Sequence, residues 1–287
     1  MFDKILLYAK VARAQTLAMS ILPCILAFVY KQHEITNFKA FIFVSISIVL
    51  FHLSANTISE YRDCAKGIDN PKSPGTKYRL VTGIVPQQNV LYLGVLSFFI
   101  AVICGIVSVL ISSPILLIPG IIGASIAFFY SENPFCLKYK GLGELAVFLG
   151  YGVLLGFSTI YSLTGTCSVL DIFVFIPGAL LIVCVLLANN IRDLYFDKGH
   201  TITLATIVGI KNSYILLYFL AISSYITYGG LAYKEILPKG TYNVFLTCPI
   251  LFLSYRCRNH PKMINIFGFL FVATELIAII SNIQHKI

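Results

Sequence analysis

The chain has 287 residues, 58% of them hydrophobic and 11% charged, with a mean hydropathy of +0.86 and a formal net charge of +9. That balance excludes an ordinary soluble globular domain. It predicts an all-α, polytopic membrane protein with no separate soluble part, so residues 1–287 are read as a single transmembrane domain.

Apolar stretches long enough to cross a bilayer core, about 17 to 25 residues, recur at roughly 15–32, 39–58, 89–111, 114–131, 144–164, 171–191, 213–231, 241–255 and 264–283. That makes nine expected transmembrane helices, the eighth short. Lys4, Lys10 and Arg13 precede the first run, which is too long for a signal-peptide core and has no small-residue cleavage site behind it. With the N-terminus inside, the inside segments hold Lys4, Lys10, Arg13, Arg62, Lys66, Lys72, Lys77, Arg79, Lys138, Lys140, Arg192, Lys198, Lys211, Arg256, Arg258 and Lys262. Those are 16 of the 21 basic residues, and only Lys31, Lys39, Lys234, Lys239 and Lys286 remain outside. This asymmetry is what the positive-inside rule demands. The net charge therefore reports orientation and an anionic ligand, and nothing suggests nucleic acid. The eight cysteines form no CxxC pair and read as small packing residues. The five histidines show no metal-ligand spacing.

Two inside loops are chemically dense, and each begins where an apolar helix ends. The first is NTISEYRDCAKGIDNPKSPGTKYRLVTG, 56–83; the second is NNIRDLYFDKGHTITLATIVG, 189–209. Continuing each helix by one or two turns puts Asn56, Glu60 and Asp63 on one face, and Asn189, Asp193 and Asp197 on another. For one such loop the simpler reading is acids that solvate a helix end. Two matching loops favour a ligand. Like charges on one face repel unless a cation sits among them, and oxygen donors with few His or Cys suit Mg²⁺. Lys66, Lys72, Lys77 and Arg79 follow the first acids, Lys138 and Lys140 occupy the next inside loop, and Arg192 and Lys198 interleave with the second acids. Acids and bases at one pole suggest a metal-bridged diphosphate. The apolar bundle around them would hold a long hydrocarbon, and a prenyl diphosphate has both ends.

Four blocks between about 13 and 211 carry a family resemblance. RAQTLAMSILP supplies Arg13, Thr16, Leu17 and Pro23; SEYRDCAKGIDNP with YRLVTG supplies Tyr61, Asp63, Lys66, Gly67, Asp69, Arg79 and Gly83. YSENPFCLKYKGLGELAVFLGYG supplies Tyr130, Pro134, Tyr139, Lys140, Gly141, Gly143 and Glu144, and NNIRDLYFD supplies Asn189, Asn190, Arg192, Asp193 and Asp197. In order and spacing these resemble the UbiA superfamily of intramembrane prenyltransferases, most closely its dihydroxynaphthoate polyprenyltransferase branch of menaquinone biosynthesis. The chain departs at Ser59 and Glu60, where the family usually has Asn-Asp, and at Tyr195, which replaces a frequent acid. KGHTITLATIVG is also about one residue shorter than the usual stretch.

The resemblance implies a UbiA-like bundle around a central cavity, in a bacterial cell membrane, with its active site on the cytoplasmic side. It implies Mg²⁺ held by Glu60, Asp63, Asp69, Asp193 and Asp197. The diphosphate would be bound by Asn56, Lys66, Lys77, Arg79, Lys138, Lys140, Asn189, Asn190 and Arg192. Asp63, Asp193 and Tyr139 would act in catalysis, with Tyr139, Tyr130 and Tyr61 as aromatic faces for an allylic cation. The partners implied are a prenyl diphosphate, an aromatic acceptor and membrane lipid. A terpene cyclase on the same fold would share the metal site but need no acceptor, and a transporter would want its acids nearer the midplane. Glu144 is equally readable as a helix N-terminal acid. Glu275, deep in the ninth span, stands as a functional candidate without a family match.

Overall fold

A computed structural model describes residues 2–69, 78–197, 201–256 and 263–285, with side chains over that range except at 2–5, 78–79, 195–197, 255–256 and 263. In chain order the α-helices are α1 (Phe2–Val11), α2 (Ala18–Tyr30), α3 (Phe38–Ala65), α4 (Tyr78–Val81), α5 (Gln87–Ile111), α6 (Leu117–Phe129) and α7 (Gly143–Phe148). They continue with α8 (Leu155–Thr164), α9 (Val169–Phe173), α10 (Ile176–Asp197), α11 (Leu204–Tyr233), α12 (Cys248–Arg256) and α13 (Met263–His285). The described residues form no strand beyond one isolated bridge between Lys140 and Ile202.

Six helices are long and apolar enough to cross a membrane: Phe38–Ala65, Gln87–Ile111, Gly143–Thr164, Val169–Leu194, Leu204–Tyr233 and Ile264–His285. Two shorter apolar helices, Ala14–Tyr30 and Pro114–Phe129, match two more of the expected spans. Large apolar side chains cover the outside, among them Leu96, Phe99, Ile103 and Leu110 of α5, Ile118 of α6, and Phe219 and Ile226 of α11. An outer surface that apolar suits hydrocarbon, and the chain is a multi-pass integral membrane protein.

Three expected spans are less regular than hydropathy suggests. The fifth is interrupted by a π-helical turn, Leu149–Leu154, between α7 and α8, a local irregularity often found beside functional sites. Gly209 (φ 77°, ψ 163°) breaks α11, so the regular helix begins close to the expected 213. The eighth, expected over 241–255, is a 3₁₀ helix, Lys239–Thr247, followed by α12. Pro249 has no N–H to donate and fits most easily in the first turn of a helix, where that N–H would have no partner, and the α-helix begins beside it.

The first motif rides on α3. Its N-terminus is capped by Asn37, whose side chain accepts from the Ala40 N–H at 3.0 Å. At 1.5 Å per residue its 28 residues run about 42 Å. That exceeds the roughly 30 Å hydrocarbon core, so the helix continues past the apolar span, as the expected extra turns require. A stripe of small residues on α5, Gly94, Ser97, Ala101 and Ser108, is turned inward and lets α3 lie close against it. Ser47 of α3 donates to the Ala101 carbonyl at 2.8 Å. A Cβ on Gly94 would stand 2.6 Å from Thr57 Oγ1 and 2.7 Å from Ile58 Cγ1. Gly94→Ala is therefore expected to destabilise the protein by about 1–3 kcal/mol, the cost of overpacking. A melting temperature in detergent equal to that of the unsubstituted protein would refute this close packing.

Elsewhere α10, α11 and α13 close around Leu187, Ala188, Leu217, Phe267 and Phe271. Glu275 of α13 is buried there; its Oε1 accepts from the Tyr228 hydroxyl at 2.8 Å, and Gly178 of α10 leaves the room its carboxyl occupies.

Candidate active site

Gly67 makes the first motif turn. It sits just past α3 with φ 67°, its N–H donates to the Cys64 carbonyl, and the Ile68 N–H reaches back to the Asp63 carbonyl at 3.0 Å. This is the left-handed ending that glycine favours, and it folds Asp69 back beside Asp63. The third block then brings basic and phenolic groups over the end of α3. A 3₁₀ turn, Leu137–Tyr139, is pinned by the Lys138 N–H to the Tyr130 carbonyl at 2.8 Å. From it Lys138 Nζ donates to Asp63 Oδ2 at 2.5 Å and to Ser59 Oγ at 2.7 Å, while the Tyr139 hydroxyl donates to Asp63 Oδ1 at 2.7 Å. Ser59, a departure from the family pattern, thus helps to hold a lysine. Burial and the Asp63 carboxylate push the Tyr139 hydroxyl above the ordinary phenol range, so it stays a donor.

The second motif is built within α10. Arg192 donates from Nε and Nη2 to the two oxygens of Asp193 at 2.5 and 2.7 Å, and from Nη2 to Asn189 Oδ1 at 2.8 Å. Asn190 donates to Glu144 Oε1 at 2.8 Å. Glu144, in the first turn of α7, therefore does more than favour a helix N-terminus. The Ile202 N–H donates to the Tyr139 carbonyl at 3.3 Å, tying the chain after the second motif to the third block.

Arg13 joins the two. Its guanidinium pairs with Glu60 and stands beside Asp63 and Asp193. Burial alone would lower its pKa, but those three carboxylates outweigh it and hold the group charged above its ordinary value.

Asp63 and Asp193, each 2% exposed, line the polar end of one cavity of about 640 Å³, together with Arg13, Asn56, Lys138 and Arg192. The rest of the wall is apolar: Val44, Ile48 and Phe51 of α3, Ile106 and Val109 of α5, and Ile121 of α6. Val44 lies 19 residues before Asp63, so the cavity follows α3 for about 28 Å.

Not every expected site residue reaches this cavity. Asn189, Asn190 and Tyr139 line it, whereas Glu60 and Asp69 are buried beside it. Lys66 holds its ammonium 3.9 Å from the centre of the Tyr139 ring, and Lys140 donates to the Pro134 carbonyl. One face of Tyr139 is thus already occupied by a cation, and Tyr61 carries the Arg62 guanidinium at 5.6 Å. Tyr130 lines the cavity. Lys77 and the side chains of Arg79 and Asp197 lie outside the described residues. Among the described residues no three His, Cys, Asp or Glu side chains converge as a metal site. The oxygen donors that line the cavity, Asp63, Asp193, Asn56 and Asn189, nevertheless suit a hard divalent cation in type.

Three further side chains take part in these contacts without standing in any expected ligand set. Arg13 belonged to a motif block but to no ligand set. Glu132, which takes Arg62 Nη2 at 2.6 Å, carried no signal at all. His52 had one, its position one helical turn before Asn56 on the same face.

The chain matches the model of the UbiA prenyltransferase family over residues 20–282. It is 29% identical to the 1,4-dihydroxy-2-naphthoate octaprenyltransferase of Bacillus subtilis (strain 168) over 245 residues, 84% of this chain and 78% of that one. It is 27% identical to human UbiA prenyltransferase domain-containing protein 1 over 231 residues, 78% of this chain and 68% of that one. Its fold resembles that of a UbiA homologue from Archaeoglobus fulgidus solved with GPP and Mg²⁺, with a TM-score of 0.66 at 18% identity, covering 95% of this chain and 99% of the other. It also resembles the apo structure of a UbiA homologue from Aeropyrum pernix K1, with a TM-score of 0.69 at 16% identity, covering 96% and 98%. With the family model spanning nearly the whole chain, and with both carboxylate motifs meeting at one cavity, the protein belongs to the UbiA prenyltransferase family and is a prenyl-transferring enzyme.

Proposed function

We propose that the protein transfers a prenyl group from a prenyl diphosphate to a dihydroxynaphthoate-like aromatic acid, in quinone biosynthesis of the menaquinone type. The observation that carries this is the cavity itself, with Asp63 and Asp193 at a pole rich in cations and a long apolar wall below. The Bacillus relative's name supports the acceptor, and the ligands of the Archaeoglobus homologue support the donor and Mg²⁺. Asp63 and Asp193, with Asn56 and Asn189, would hold Mg²⁺, which when bound supplies charge neutralisation to the departing diphosphate. Lys138 and Arg192, each already on a motif carboxylate, lie within the same wall to bind diphosphate oxygens. Tyr139 orients Asp63 by its hydrogen bond.

The allylic C–O bond breaks with its electron pair leaving on the diphosphate. The carboxylate-bearing ring carbon of the acceptor then attacks the allylic cation to form the new C–C bond, and its bond to the carboxylate breaks, the electron pair returning to the ring as CO₂ leaves. Phe51, Tyr130 and Tyr151 line the cavity, where they offer aromatic faces to the cation and exclude water.

The experiment is incubation of purified protein with a prenyl diphosphate, Mg²⁺ and a panel of aromatic acids, followed by mass spectrometry. The expected product has the mass of the 1,4-dihydroxy-2-naphthoate anion plus the prenyl group, less CO₂. A cyclised hydrocarbon formed without any acceptor would replace this reading with a cyclase.

The full reading is one domain of nine crossings, its N-terminus and active site on the cytoplasmic side of a bacterial membrane. The distribution of basic residues supports that orientation. A reporter fused after Ile287 should then read as external, and a cytoplasmic signal would break the odd count.

A further inference from the structure

Arg13 has a backbone conformation that side chains other than glycine rarely adopt, φ 53° and ψ 40°. Such a residue persists only where its surroundings hold it. Here Thr16 does so, with its N–H and its Oγ1 each donating to the Arg13 carbonyl at 2.8 Å. The same Oγ1 accepts from Asn56 Nδ2 at 3.0 Å and lies 3.3 Å from His52 Nε2. His52 Nδ1 lies 2.6 Å from Ser20 Oγ, and its ring meets Tyr151 edge-on at 5.5 Å.

A hydroxyl has one proton, and the shorter contact of Thr16, 2.8 Å to the Arg13 carbonyl against 3.3 Å to His52 Nε2, assigns it to the carbonyl. Toward His52 the Thr16 oxygen can therefore only accept. This assigns the imidazole proton to Nε2, and Nδ1 accepts from Ser20.

We propose that His52, in this tautomer, is a positioning residue of the enzyme: through Thr16 it fixes the left-handed turn at Arg13 and so keeps the guanidinium on Glu60, beside Asp63 and Asp193. It rests on the reading of this cavity as the prenyl diphosphate site. His52 lies one turn, about 6 Å, deeper along α3 than Asn56, so it acts on the diphosphate pole through the turn.

The tautomer makes the test selective. Glutamine can place an amide N–H near the position of Nε2, whereas asparagine reaches only that of Nδ1. With Mg²⁺ present, His52→Asn is expected to weaken prenyl diphosphate binding about tenfold and to raise its KM to match, while His52→Gln recovers most of the loss. Thr16→Val should weaken binding to a similar extent and Thr16→Ser should not. The double variant His52→Asn/Thr16→Val should be no worse than either single one, because both cut the same chain of bonds. If His52→Asn fails to fold, the Thr16 pair carries the comparison. Both His52 variants lose the ring that packs on Tyr151, so equal impairment by Asn and Gln would mean packing alone and overturn the proposal. Additive losses in the double variant would overturn it too. An unsubstituted protein that binds no prenyl diphosphate would instead remove the reading of the site, a different failure.

Discussion

Asp193→Asn and Asp63→Asn are each expected to cut turnover by roughly 100- to 1,000-fold, the usual consequence of removing one preorganised electrostatic contact to a reacting group. The proposed role makes each carboxylate a donor to Mg²⁺, and an amide of the same shape carries no charge to offer. Folding should survive, although not for the reason hydropathy suggests. The loops suggest solvated acids, whereas both carboxylates lie buried on helices and are held by cations. Breaking a fully buried pair costs about 3–5 kcal/mol. Lys138 and Arg192 are 21% and 22% exposed, so water can take up the released cation and the cost should be nearer about 1–2 kcal/mol. Turnover by mass spectrometry, read beside the melting temperature in detergent, separates the two effects. Near-normal turnover in Asp193→Asn would take the second motif out of the mechanism.

The two motif helices were legible because helical period and hydropathy are local properties. Extending the apolar run 39–58 by two turns put Asn56 and Asp63 on one face, and α3 does run on to Ala65. What holds Asp63 was not legible in the same way. Lys138 and Tyr139 stand 75 and 76 residues away, and only the packing of the 3₁₀ turn on the end of α3 makes them partners. Glu60 shows the same limit. As a sequence feature it is one more acid on the ligand face, but its longer stem reaches Arg13 of another segment. His52 looked isolated among histidines because its partners, Thr16 and Ser20, are hydroxyls with no spacing signature. The π-turn at Leu149–Leu154 escaped because apolar side chains fit either helical form equally well.

Removing divalent cations is expected to weaken prenyl diphosphate binding by about 100-fold. Among the described residues at the polar end, Glu60, Asp63 and Asp193 already stand against Arg13, Lys138 and Arg192, so these six side chains leave no excess positive charge. A diphosphate brings about three negative charges to that pole, since its acidic protons are largely lost at neutral pH. Two like charges about 5 Å apart at an effective dielectric constant of about 20 repel by roughly 3 kcal/mol. Each 1.4 kcal/mol is a factor of about ten, so one such uncompensated repulsion accounts for the expected change. Lys66 cannot supply the missing charge without leaving the ring of Tyr139. The corresponding prenyl alcohol has the same chain for the apolar wall and no charge to neutralise, so its binding should be nearly indifferent to the metal. The comparison is a pair of titrations for each ligand, in Mg²⁺ and in excess chelator, on the same purified protein. Equal diphosphate affinity in both would mean that Asp63 and Asp193 serve only as partners of Lys138 and Arg192.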